Sequence, residues 1–388
     1  MKLFKSLLVA PAALGLLAPI SASASEVNLN DISKYSDVDL ERDLESVDFA
    51  NSFKNDESNS RNLLAGGEGL VDSSHDGGFS ETTTASFTVE GYLGVVDDED
   101  QTVDDAAAAG YSFQIDLNTS FTGEDSLDIS LDAGTGGTEG IAEFDGNSLG
   151  DGLRVDGVAY TFPIGEKITA IAGIDTDGSA LFTTACVYGG PGNLLDDCAN
   201  VNAGITGGGA TIGASYDVGG GWSAAVGAQT TEASVFTEES SDAYALNAAY
   251  IADSYGLSIT YGVVENAGLT DENKFTALNA YYTPEGSLPS ISVGYELGDI
   301  GGAAAGADEQ ASFMVGLTWD EVGPGSAGLA LGHSNTNESD DEVYQYEAYY
   351  SYPLNDGMTI TPLIFSRDAA TANTDDTTGM MVKTTFTF

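Results

Sequence analysis

Residues 291–319 read "ISVGYELGDIGGAAAGADEQASFMVGLTW". Ile291, Val293, Tyr295 and Leu297 fall on one parity, with Glu296 on the other. After a Gly- and Ala-rich polar connection the pattern resumes, and Phe313, Val315, Leu317 and Trp319 share a parity. A period of two is the signature of a strand with one apolar and one polar face. Two such strands joined by a long connection raise one question: which face meets water?

The same period runs outward in both directions. In "YSFQIDLNTSF" (111–121), Tyr111, Phe113, Ile115 and Leu117 oppose Ser112, Gln114, Asp116 and Asn118. In "SLDISLDAG" (126–134), Leu127, Ile129 and Leu131 oppose Asp128, Ser130 and Asp132. In "VYQYEAYYSY" (343–352), Tyr344, Tyr346, Ala348, Tyr350 and Tyr352 oppose Gln345, Glu347 and Tyr349. Such segments number about sixteen, an even count. They are centred near Val89, Phe113, Ile129, Tyr160, Ala170, Ile212, Val226, Leu246, Ile259, Leu278, Val293, Val315, Leu329, Tyr346, Ile360 and Thr384.

Their connections alternate in length. "TGED", "PIGEK", "VGGGW", "ADSYG", "TPEGSLP", "EVGPGS" and "PLNDG" are tight. Between them come long polar stretches such as "TGGTEGIAEFDGNSLGDG", "TTEASVFTEESSD", "ENAGLTDENK" and "HSNTNESDDE". Short on one side and long on the other is the rhythm of a transmembrane barrel with tight periplasmic turns and long external loops. In lipid every backbone group needs a partner, so the sheet must close, first strand on last. A soluble sandwich also alternates, but it does not call for this rhythm and would need edge protection. Tyr250, Tyr281, Tyr282, Tyr350 and Tyr352 lie near the short turns, where an aromatic girdle belongs. The expected fold is all-β: an antiparallel up-and-down transmembrane barrel over residues 83–388.

Composition agrees with export and excludes other classes. The 388 residues carry 61 acids against 11 Lys and Arg, a formal charge of −50. So few cations exclude a nucleic-acid binder that relies on phosphate neutralisation. Lys2 and Lys5, an apolar stretch from Leu7 to about Ile20, and Ala22-Ser23-Ala24 read as a cleavable secretory leader over residues 1–24. Residues 25–82 are acidic and polar; Leu40, Leu44 and Val47 at helical spacing, with Ser36 as cap, suggest a short periplasmic helix and a linker. Cys186 and Cys198 are the two cysteines, and in an oxidising compartment a bridge closing their Gly/Pro-containing loop is expected.

If the apolar face meets lipid, the polar face lines a lumen, and sixteen strands leave it water-filled. Parity sends Glu90, Gln114, Asp116, Asp128, Asp132, Glu296 and Glu347 inward, with Lys383 as a basic exception; Arg154 and Lys274, near strand ends, stay unassigned. Six acids against one Lys favour cations over anions. The third long loop, from about Thr176 to Gly204, carries both cysteines; it either narrows the channel or shields the barrel from outside. At the end, "VKTTFTF" puts Val382, Thr384, Phe386 and Phe388 on the lipid face and Lys383, Thr385 and Thr387 on the lumen side.

Three stretches carry a family resemblance. The start "MKLFKSLLVAPAALGLLAP…ASEVNLNDISKYS", the strand-turn "VAYTFPIGEKITAIAG" and the ending "VKTTFTF" resemble cyanobacterial outer-membrane porins of the marine picocyanobacterial kind, related to the carbohydrate-selective porins. The likeness covers the leader and, more loosely, about Phe79 to Phe388. It implies a passive channel for small hydrophilic solutes and inorganic ions, with iron or sugars as further cargo left open. It also implies outer-membrane lipid and the barrel-assembly machinery as partners, a terminal aromatic that the machinery reads, and a homotrimer as an open assembly state. Members usually carry an S-layer-homology domain before the barrel, and residues 25–82 are too short for one.

Chemistry of other kinds finds little support. His75 falls in the linker and His333 at a strand end beside a polar loop, the setting of a solvated rather than a catalytic His. "DTDGS" at Asp175 lacks the remaining ligand positions of a calcium loop, and "GTGGTEG" at Gly134 has no following helix to cradle phosphate. No enzyme, metal or cofactor is expected. The alternative from another class is a non-channel, acidic β-rich surface protein or adhesin.

Overall fold

The computed structural model describes residues 82–97, 107–135, 146–147, 152–192, 195–235, 237, 241–265, 271–337, 340, 342–369 and 376–388. The leader, the acidic segment with His75, and most of "GTGGTEG" lie outside these residues.

Sixteen strands form one closed antiparallel barrel in chain order. They are β1 (Thr83–Asp97), β2 (Ala108–Thr119), β3 (Ser126–Gly134), β4 (Arg154–Ile164), β5 (Ile168–Ile174), β6 (Ala210–Gly219), β7 (Trp222–Thr230) and β8 (Asp242–Ile251). The second half comprises β9 (Tyr255–Glu265), β10 (Glu272–Tyr282), β11 (Ser290–Asp299), β12 (Glu309–Val322), β13 (Gly325–Asn337), β14 (Gln345–Asn355), β15 (Met358–Arg367) and β16 (Thr377–Thr387). Every centre read from the sequence falls inside its strand. Among the described residues the helical content is a single 3-10 turn, Glu232–Ser234.

The short side is made by local chemistry. Between β6 and β7 only Gly220 and Gly221 intervene, and Gly219, Gly220 and Gly221 all take positive φ (97°, 64° and 87°). Such a hairpin turn suits glycine, which has no Cβ to clash. Between β2 and β3, Asp125 acts as the turn's acceptor. Its carboxylate takes the backbone N–H groups of Phe121 and Thr122 (2.9 and 2.7 Å) and the Tyr160 hydroxyl (2.6 Å).

The faces are inverted relative to a water-soluble core. Leu246, Leu278, Val226, Ile212 and Ile364 stand exposed on the outside, whereas Ser292, Glu296, Ser312 and Thr260 are buried inside. An apolar exterior around a closed hydrogen-bonded sheet is the arrangement that lipid demands and water penalises. At the short-turn end the outer surface carries packed aromatics. Trp222 and Tyr250 lie 4.9 Å apart, Tyr250 and Tyr255 5.8 Å. Tyr281 departs from the expected girdle: it lies on the face opposite exposed Leu278 and Tyr282, its ring filling the space over Gly256 of β9.

The seam joins β1 to β16 from Thr88↔Thr387 to Asp97↔Thr378. One further residue completes it: Phe87 and Phe388 exchange backbone hydrogen bonds of 2.9 and 3.1 Å, and their rings stack at 5.5 Å. The chain therefore ends as a fully paired strand. A bulge between Ser130 and Leu131 shifts the β3–β4 register, so Arg154 sits opposite inward Asp132. Lys274 takes the outer face, 4.0 Å from Glu272.

Candidate functional site: a lumen with a seated loop

The connection from β5 to β6, residues 175–209, turns into the barrel and crosses its inner wall. Strand by strand, the wall offers it polar groups. Gln229 of β7 accepts from Gly178 N (3.0 Å), Asn247 of β8 from Thr183 N (3.0 Å), and Ser258 of β9 from Ala185 N (2.9 Å). Ser292 of β11 accepts from both Val187 N (3.0 Å) and Tyr188 N (3.1 Å). Asn279 of β10 donates to the Cys198 carbonyl at 2.7 Å. At the far side the Tyr188 hydroxyl donates to Glu347 of β14 at 2.5 Å.

Glu296 of β11 is the strongest anchor. Its carboxylate accepts from the backbone N–H groups of Asn202 (2.9 Å) and Ala203 (2.7 Å) and from the Asn202 side chain (2.8 Å). Hydrogen bonds to an ionised group are worth about 1.5–3 kcal/mol each, so this cap outweighs any neutral contact in the seat. Glu296 is 1% exposed and Glu347 3%. Both face inward, and both are covered by the loop they hold.

Glycines make room for the strap. A Cβ at Gly227 (β7), Gly262 (β9) or Gly294 (β11) would lie 1.8, 2.7 and 1.7 Å from the carbonyl oxygens of Gly178, Ala203 and Cys198. Gly316 lies under the Tyr188 ring. A disulfide joins Cys186 to Cys198 across the loop. Around it Tyr188, Leu195, Cys198 and Ala199 pack with Tyr92, Met314, Leu363, Phe365 and Met381 from β1, β12, β15 and β16. The loop is thus a folded body with an apolar underside, held at its edges by hydrogen bonds.

The rest of the wall is open. On β16 and β1–β3, inward Glu90 accepts from Thr385 (3.0 Å) and Tyr92 (2.7 Å) and pairs with Lys383 at 3.2 Å. Asp116 accepts from Gln114 (2.9 Å) and Ser130 (2.8 Å), and Asp128 from Asn118 (2.5 Å) and Ser126 (2.8 Å). Asp132 is buried near the loop end of β3. Gln114, Asp116, Asp128 and Ser130 are only half-buried and Asn118 is exposed.

His333 is not the solvated loop histidine its sequence position suggests. It is 7% exposed and packed between the rings of Phe313 and Tyr344, with Nδ1 3.0 Å from the Thr336 hydroxyl. Aromatic neighbours on β12 and before β14 cover it. Sequence reasoning missed the polar seat: Gln229, Asn247, Ser258, Asn279 and Ser292. The signal was present, because each is a polar residue at the parity opposite the apolar face of its strand.

Solved porin structures share this fold. OprB of Pseudomonas putida, at high pH, matches with a TM-score of 0.59 and 12% identity over 79% of this chain and 94% of its own. The anion-selective porin of Comamonas acidovorans gives 0.56 and 16%, over 79% and 99%. A mutant of Rh. blastica porin gives 0.54 and 14%, over 79% and 100%. No protein-family model and no curated protein matches the chain. At these identities the likeness is one of fold.

Proposed function

We propose that the chain is an outer-membrane porin, a passive and cation-preferring aqueous channel for small hydrophilic solutes and inorganic ions. One observation carries the reading: a closed barrel, apolar outside and polar inside, holds a folded loop against one part of its inner wall. An adhesin has no use for a loop that occupies the lumen and leaves one wall hydrated. The short turns, the start of β1 and the end of β16 would face the periplasm, and the long connections the exterior. The resemblance of "VKTTFTF" and the leader supports a porin of the cyanobacterial kind, with iron among its candidate ions and a homotrimer as its candidate assembly. A sugar-selective porin is the second reading; it rests on the family resemblance as a whole and on no particular residue of this chain.

Purified, refolded protein in a planar bilayer tests this. Stepwise conductance, with a reversal potential in a KCl gradient showing K⁺ ahead of Cl⁻, is expected. Absence of steps overturns the channel, and anion preference overturns the charge assignment.

A further inference from the structure

The inward-facing acids divide by what covers them. On β8–β11 the inner wall is sealed by the strap: Asn247, Thr260, Asn279, Ser292 and Glu296 are all 4% exposed or less. Glu296 spends both oxygens on loop donors, and Glu347 one, on the Tyr188 hydroxyl; both carboxylates lie beneath the strap. An ion passing through the barrel therefore meets the part of the opposite wall that the strap leaves uncovered, where Glu90, Gln114, Asp116, Asp128, Ser130 and Lys383 remain half-exposed, while Tyr92 and Met381 on the same strands are packed under the loop.

Charges on that wall are not equal either. Glu90 is neutralised by Lys383 at 3.2 Å. Asp132 lies directly across the ladder from Arg154. Among the described residues, Asp116 and Asp128 have only neutral donors, Gln114 and Ser130 for one, Asn118 and Ser126 for the other. Those donors orient the carboxylates without cancelling them. The register Asp116↔Ser130 and Asn118↔Asp128 makes the two acids diagonal neighbours on adjacent strands, about 7 Å apart along the axis. A partly dehydrated cation can pass from one to the next.

We propose, resting on the channel reading above, that Asp116 and Asp128 are the specificity-determining residues of the conduit, selecting small inorganic cations. Glu296 and Glu347 are positioning residues that act through the loop. The total of six inward acids is then a poor guide to selectivity: two act on ions, Glu90 is paired with Lys383, Asp132 is buried, and two hold the strap.

The test compares D116N/D128N with E296Q/E347Q in the full-length, disulfide-intact protein, by reversal potential in a KCl gradient near 0.1 M. There the Debye length is about 10 Å, and one carboxylate about 5 Å from an ion in water-like surroundings is worth about four-fold in local concentration. D116N/D128N should cut the K⁺/Cl⁻ permeability ratio by about four-fold or more and leave heat-modifiable gel mobility unchanged. E296Q/E347Q should instead change conductance and noise and expose the wall: a cysteine placed by S292C, protected beneath the strap, becomes reactive to a water-soluble methanethiosulfonate. The cysteine of S130C should react in either background. An unchanged permeability ratio in a conducting D116N/D128N channel overturns the proposal, as does an equal loss of selectivity in E296Q/E347Q with S292C still protected. A wild-type protein without conductance would overturn the channel reading itself and is read separately.

Discussion

Replacing Gly294 by alanine should lift the strap off the wall. A Cβ there would stand 1.7 Å from the Cys198 carbonyl oxygen and 2.9 Å from Asn279 Nδ2. Neither neighbour is the free end of a flexible chain. The carbonyl belongs to a residue fixed by the disulfide to Cys186. To reach the 3.4 Å at which ordinary contact begins, the loop must retreat by about 1.7 Å. That retreat stretches the 2.7 Å bond from Asn279 to Cys198 O past hydrogen-bonding range. It also pulls on the cap at Glu296, where Ala203 N sits at 2.7 Å. Losing one neutral bond and one charge-assisted bond costs about 3 kcal/mol, roughly a 100-fold shift toward the unseated loop. Single-channel recording reads the shift as larger or additional conductance levels, and thiol labelling of S292C in the G294A background reads it as deprotection. Gly91 provides the control, since a methyl there meets nothing within 4 Å. Wild-type conductance in G294A together with a protected S292C would refute the seat as described.

Three more outcomes follow from the same geometry. Deleting Phe388, which removes two backbone bonds and a stacked ring from the seam, or appending a charged tail, should lower the fraction of assembled, heat-modifiable protein in outer-membrane preparations. The substitution L278R puts a cation on the exposed middle of β10 and should destabilise the barrel by about 2–4 kcal/mol in urea titrations in lipid vesicles, the larger figure at mid-membrane. Asp197 reaches lumen water with its side chain, yet the surrounding wall, then Asp196 and Glu296, push its carboxyl from the ordinary 3.8 up to about 6. A raised acid favours the seated loop while protonated, so the Asp197 contribution to seating should be fully present below about pH 4 and be lost as pH rises to about 6. Conductance noise should follow that window in the wild type and flatten in D197N.

The barrel was legible because its rule is local. Each strand shows its lipid face in six to ten residues, and Leu246, Leu278, Ile291 and Val315 could be assigned without knowing any partner. The alternation of "PIGEK" or "VGGGW" with loops at least twice as long added the sidedness. What stayed hidden depends on contacts between distant parts of the chain. Parity placed Glu296 and Glu347 on the inner face, but it could not say that the loop between β5 and β6 would cover them. Nor could it foresee that a bulge at Ser130/Leu131 would turn Arg154 inward, or that Tyr281 would leave the girdle to lie over Gly256. His333 misled for the same reason: its cover comes from Phe313 on one neighbouring strand and from Tyr344 at the edge of the other.

The charge imbalance and the seated loop have a common physical origin. A loop folded into a barrel brings backbone N–H groups that lost water must leave partnered. The wall of this chain answers with oxygens: Gln229 Oε1, Asn247 Oδ1, Ser258 Oγ, Ser292 Oγ and the carboxylate of Glu296. With 11 cationic residues in 388, seating by Lys or Arg on loop carbonyls was scarcely open to it. An acceptor-rich wall suits a loop that offers donors, and the same surplus of oxygen, left uncovered on β2 and β3, is what the proposed cation preference rests on. Separating the two roles by which oxygens the strap covers explains how a chain this acidic can use carboxylates both as structural anchors and as the charges an ion meets.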